Sequence, residues 1–122
     1  MLKIAICDDQ EIQLELMERY IKEWAIKNSL EIYIDKFNSA EEFLFEWEDY
    51  EKYDLILGMD RANISNILRI IGSDPQEKVH RLLDFTELPR DIADPWYTGD
   101  FEITYAEIKA GCAALLKHLR RF

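Results

Sequence analysis

The chain has 122 residues, enough for one domain and too few for a second independent core. Apolar residues make up 48% and aromatics 12%, and only 4 Gly and 3 Pro argue against a disordered or fibrous chain. A net charge of −10 disfavours nucleic acid and anionic membrane surfaces as partners. That charge is unevenly spread. Residues 1–60 hold 6 basic and 16 acidic residues and carry all of it, whereas residues 61–122 hold 9 of each.

The first element is Leu2 to Cys7, an apolar run without alternation that predicts a strand covered on both faces. Ile12, Leu16, Met17, Tyr20, Ile21 and Trp24 then recur at helical spacing. Leu30 to Asp35 predicts strand 2, and the capping box Ser39-Ala40-Glu41-Glu42 opens a helix to about Asp49. In its acidic end, Trp47 and Tyr50 are expected to pack inward. Tyr53 to Gly58 predicts strand 3, and Asp60 caps a helix that stops at Gly72. After the Asp74-Pro75 turn comes strand 4, Lys78 to Leu83. Asp84 to Gly99 holds two of the three prolines and reads as a long loop, a common place for function. From Asp100 a last helix carries Phe101, Tyr105, Ile108, Cys112, Leu115 and Leu119 as an apolar stripe.

Strands alternating with helices imply parallel pairing and right-handed crossovers. The expected fold is a single α/β domain over 1–122. It is a three-layer α/β/α sandwich of the flavodoxin-like kind with a doubly wound four-stranded parallel sheet of order 2-1-3-4. Helices 1 and 4 then share one face, bringing Met17, Tyr20, Ile21 and Trp24 against Tyr105, Ile108 and Cys112. A site is expected where the order reverses, which gathers Cys7, Asp8, Asp9, Met59 and Asp60 at one rim. No membrane span or signal segment is read, so a cytoplasmic monomer is expected. Cys7 and Cys112 are expected as buried thiols, and His80 and His118 as structural residues.

Two family resemblances follow from these motifs. Ile4-Ala5-Ile6-Cys7-Asp8-Asp9, Ser39-Ala40-Glu41-Glu42-Phe43-Leu44 and Tyr53-Asp54-Leu55-Ile56-Leu57 resemble the receiver domain of bacterial response regulators over residues 1 to about 57. That resemblance implies an acidic pair, Asp8 and Asp9, for Mg²⁺, with Met59 at the phosphoryl-acceptor position and Asp60 as the nearest carboxylate. Leu57-Gly58-Met59-Asp60-Arg61-Ala62-Asn63-Ile64, Val79-His80-Arg81-Leu82-Leu83-Asp84-Phe85, Asp94-Pro95-Trp96-Tyr97-Thr98-Gly99-Asp100-Phe101 and Ile108-Lys109-Ala110-Gly111-Cys112 resemble low-molecular-weight protein tyrosine phosphatases over about 53–122. This second resemblance implies Asp94 as general acid, Trp96 and Tyr97 as walls of the substrate pocket, and Cys7 at the nucleophile's strand end.

The phosphatase loop C-x5-R-S is missing. Gln13 and Leu14 stand where arginine and serine belong, no glycine lies between, and Asp8 and Asp9 flank the thiol. Together these features lead to the expectation of an engineered or recombined chimera, receiver-like in 1–57 and phosphatase-like in 58–122, that folds without catalysing a reaction. Two alternatives stay open: a residual phosphatase using Cys7 and Asp94, and a receiver-type phosphorelay or interaction domain using Asp60. No cofactor or obligatory partner is expected. Asp8, Asp9 and Asp60, with Asp94 in reach, are candidates for a weak Mg²⁺ site, the competing reading of Asp8 and Asp9 being helix capping plus solvated charge.

Overall fold

The computed structural model describes residues 1–39, 47–93 and 98–119. Its strands are β1 (Leu2–Cys7), β2 (Ile32–Phe37), β3 (Leu55–Gly58) and β4 (Val79–Arg81). The helices are α1 (Glu11–Lys27), α2 (Trp47–Lys52), α3 (Arg61–Ile71) and α4 (Phe101–Leu119), with a 3₁₀ turn at Leu82–Phe85. All three pairings are parallel and the order is β2-β1-β3-β4, so the flavodoxin-like sandwich expected from the sequence is the one observed.

The alternation of β1 and β3 divides the core into two layers. Ile4, Ile6, Leu55 and Leu57 point to one face, where Leu14, Met17 and Ile21 of α1 meet Ile108, Cys112 and Leu115 of α4, with Tyr20 and Trp24 at the border. Ala5, Cys7 and Ile56 point to the other, against Tyr50, Tyr53 and Ile67. Both cysteines are buried and neither is in a disulfide; they lie on opposite faces of the sheet, which explains why they do not meet.

Local hydrogen bonds move several boundaries from their expected places. Strand 2 starts at Ile32 rather than Leu30, because the Leu30 amide donates to the Ala25 carbonyl (2.9 Å) and still belongs to the exit from α1, with Ser29 at φ 53. Strand 4 ends at Arg81 rather than Leu83, because the Asp84 carboxylate accepts from the Arg81 backbone and guanidinium (both 2.9 Å) and winds the chain into the 3₁₀ turn. Strand 3 begins at Leu55 rather than Tyr53. The second helix reaches Lys52, beyond the expected Asp49; its start after Ser39 and the Trp47 side chain lie outside the described residues. Tyr50 does point inward, wholly buried. Helix 3 is as expected, from the Asp60 cap to Gly72 at φ 82. In the α4 stripe, Phe101 is 42% exposed at the rim, outside the core that the spacing assigned it.

Gly111 sets how closely α4 approaches the 3₁₀ turn. A Cβ there would lie 2.6 Å from Leu82 Cγ, and Leu82 is wholly buried and cannot swing aside. Helix propensity alone makes Gly111→Ala stabilising by up to about 1 kcal/mol. Overpacking costs about 1–3 kcal/mol and dominates. Urea denaturation is expected to show a net loss of about 1–2 kcal/mol, and a gain would contradict this packing.

Candidate active site

The rim forms where β1 and β3 end together. Cys7 pairs in register with Gly58, and both are buried. A Cβ at position 58 would fall 2.8 Å from Asn63 Cβ. The missing side chain therefore lets α3 start immediately beside the end of β1. Asp60 opens that helix by accepting from the Asn63 amide (2.8 Å), while Asn63 Oδ1 accepts from the Met59 amide (2.9 Å). This reciprocal pair is a strand-to-helix turn closed by its own side chains.

Cys7, Asp9, Asp60, Asn38, Ser39 and Asn63 line a cavity of about 170 Å³ at this rim. The structure thus gathers three of the expected rim residues around one space. Met59 is not among them; it turns into the layer shared with α1 and α4, 2% exposed. Asp60 spends its carboxylate on the α3 cap, which accounts for it without the phosphoryl-acceptor role that the receiver resemblance implied. Among the described residues no group of three or more His, Cys, Asp or Glu side chains is arranged to hold a metal ion.

Asp8 departs furthest from its expected role as a solvated charge. It is 2% exposed, accepts from the Gln10 amide (3.3 Å), and has its carboxyl pushed up to about 7 by burial, with the charges of Asp9 and Asp60 adding to the effect. A neutral carboxylic acid beside Cys7 at mildly acidic pH is the result. Gln10 rather than either aspartate occupies the N-cap of α1, and its side chain makes no capping bond there.

Asp94, Trp96 and Tyr97 lie outside the described residues, but the chain leading to Asp94 does not. The Ile92 amide donates to the Met59 carbonyl (3.0 Å), one residue beyond the Gly58 that pairs with Cys7. Asp91 accepts from the Arg61 amide (2.9 Å) and from Arg81 Nη1 (3.0 Å). The stretch 91–92 is thus fastened to the rim by β3, α3 and β4. Sequence reasoning did not identify Arg81 or Asp91; their spacing in the chain carries no motif, and only the fold brings them together. His80 contacts the Glu77 carbonyl (2.7 Å), and its ring and that of His118 pack on Phe85.

Comparison with known proteins gives one family. The model described as low molecular weight phosphotyrosine protein phosphatase matches residues 14–122. Low molecular weight protein-tyrosine-phosphatase YfkJ of Bacillus subtilis is 36% identical over 76 residues, 61% of this chain and 49% of its own. PtpA of Staphylococcus saprophyticus is 30% identical over 74 residues, 60% of this chain and 47% of its own. In each case the match spans about half the length of the relative. The crystal structure of YfkJ from Bacillus subtilis overlays 99% of this chain and 96% of its own with a TM-score of 0.81 at 25% identity.

These findings overturn the chimera. One family model runs through residues 14–57, the stretch assigned to a receiver, and across strand 3 without a junction. The receiver reading, the engineered origin and the expectation of a protein that is not an enzyme fall with it, because the relatives are phosphatases. Physically, the β-α-β-α-β opening of a doubly wound sheet takes similar apolar runs and caps in both families, so those motifs could not separate them. The loop 7–13 lies before the matched residues and keeps its departures.

Burial of Asp8 fixes a pH dependence of stability. Between about pH 4 and 7 the folded chain holds a proton that the unfolded chain has released, so stability falls as pH rises across that window. Asp8→Asn is expected to be near neutral at pH 4.5 and to stabilise by roughly 2–4 kcal/mol at pH 8. Thermal melts of both chains at the two pH values check this, and an equal effect at both would contradict it.

Proposed function

Because this chain belongs to the low molecular weight phosphotyrosine protein phosphatase family, we propose that it hydrolyses aryl phosphate monoesters at the rim formed by the ends of β1 and β3. Cys7 is the nucleophile and Asp94 the general acid, with Trp96 and Tyr97 flanking the aryl ring. The observation that carries the reading is the convergence of two chain segments. Cys7 lines the rim cavity, and Ile92, two residues before Asp94, is hydrogen-bonded to Met59, the residue after the Gly58 that pairs with Cys7.

The chemistry needs nothing beyond these groups. The Cys7 thiolate attacks phosphorus, the phosphorus–oxygen bond breaks, and Asp94 delivers its proton to the leaving phenolate. Water then attacks the thiophosphate, Asp94 takes a proton from it, and phosphate and thiolate leave. Members of the family need no cofactor. Asn38, Asn63 and Asn66 line the cavity, and their side-chain amides can donate to phosphate oxygens in place of the arginine that the loop 7–13 lacks.

Electrostatics set the working range. With Asp9 and Asp60 on the cavity and Asp8 buried next to Cys7, phosphate binds best when Asp8 is neutral, so turnover falls as pH rises through about 7. A cytoplasmic monomer remains the proposed form; among the described residues no helix is long and apolar enough to cross a membrane.

Turnover of p-nitrophenyl phosphate at pH 6 tests the proposal. It is expected to vanish in Cys7→Ser and to fall about 10²-fold or more in Asp94→Asn. Asp8→Asn should raise the rate at pH 8 toward its value at pH 6. Turnover that survives Cys7→Ser unchanged would refute Cys7 as nucleophile.

A further inference from the structure

The residue immediately before Asp94 is held in an unusual way. Ala93 donates its amide to Glu107 Oε1 (2.8 Å), and its carbonyl accepts from the Thr104 hydroxyl (2.7 Å). Both partners are side chains of α4, three residues apart, so they rise from the same face of the helix. Thr104 is wholly buried, and Glu107 keeps its second oxygen on Arg90, with Arg90 Nη2 at 2.9 Å and Nε at 3.1 Å. A loop peptide normally finds backbone or water partners. Here one helical turn supplies both, and the carboxylate that receives the amide on Oε1 is itself held by Arg90, whose Nε and Nη2 both reach Oε2.

We infer that Thr104 and Glu107 are positioning residues that clamp the Ala93 peptide and so hold the segment carrying Asp94 at the rim. The inference rests on the phosphatase reading for its chemical consequence, and on the hydrogen bonds alone for the clamp. Ile92 in the core and Asp91 on Arg81 anchor the approach to Ala93. On the far side, Asp100 accepts from the amides of Glu102 (3.0 Å) and Ile103 (3.2 Å), which starts α4. Ala93 and Asp100, on either side of residues 94–97, are therefore both fixed. A general acid misplaced by about an ångström loses much of its effect, and in the first step the loss is greatest where the leaving group needs the proton.

The variants are Thr104→Val, which keeps the shape and removes the donor, Thr104→Ser, which restores it, and Glu107→Ala. With phenyl phosphate, a poor leaving group, Thr104→Val and Glu107→Ala are expected to lower kcat/KM, which reports the step that releases the phenol, about tenfold or more. With p-nitrophenyl phosphate, a good leaving group, the fall should be less than about threefold. Thr104→Ser should match the wild type on both. Equal losses on the two substrates in chains that melt normally would overturn the positioning role. Hydrogen exchange tests the clamp without turnover: the Ala93 amide should be protected in the wild type and Thr104→Ser and exchange faster in the other two variants. Unchanged exchange overturns the inference whatever the activity. A wild type that turns over neither ester, yet shows the expected exchange pattern, refutes the phosphatase reading and leaves the clamp standing.

Discussion

The parallel pairing of β1 with β3 is the constraint on which the rest of the rim depends. It buries Ile4 to Cys7 on both faces and fixes Cys7 opposite Gly58. Because position 58 has no side chain, α3 can begin three residues later, at Arg61, with Asn63 folded back toward the strand. The Met59 carbonyl is then left to receive the Ile92 amide, which draws the long loop across the carboxyl ends of the strands. Cys7 on β1 and Ile92 far along the chain converge because one strand pair serves as the reference for both. This is the general reason why the point of strand reversal is used for binding in open α/β sheets.

Charge works in the opposite direction. The excess of carboxylates lies in residues 1–60, which supply β1, β2 and β3, whereas residues 61–122, which supply β4 and α4, are balanced. The asymmetry lies within one family fold and marks no junction. Its sharpest expression is Asp8, buried against the charges of Asp9 and Asp60 beside the thiol. A carboxyl so placed releases its proton near neutrality, and the rim changes from tolerating an anion to repelling one over a narrow pH span. Burying an ionisable group costs stability above that span, a strain that persists at functional sites when the surrounding packing over-determines the fold.

Much of the fold was legible because its signals are local. The unbroken apolar run of β1, the Asp60 cap, Gly72 and the 4-3-4-3-4 stripe of α4 each depend on neighbours a few residues away. The layer order followed from the handedness of parallel crossovers. What failed was long-range or shared. Leu30 and Leu83 look like strand residues but are claimed by a helix exit and a 3₁₀ turn. The opening βαβα pattern suits several doubly wound families, so motif matching assigned the first half to the wrong one. Asp8 next to Asp9 reads as solvated charge, and only the fold reveals that one of the two is sealed. The clamp on Ala93 has no sequence signature, because Thr104 and Glu107 are ordinary helix residues until the loop is laid over them.

The central claim is that Cys7 takes the phosphoryl group despite its acidic neighbours. It is tested most directly by mixing Asp94→Asn with p-nitrophenyl phosphate at pH 6, denaturing the chain at alkaline pH where a thiophosphate survives, and mapping the peptides by mass spectrometry. A phosphoryl adduct on the peptide that holds Cys7, absent from Cys7→Ser, is the predicted result. No adduct on that peptide while the ester is being consumed, or the same adduct in Cys7→Ser, would contradict it.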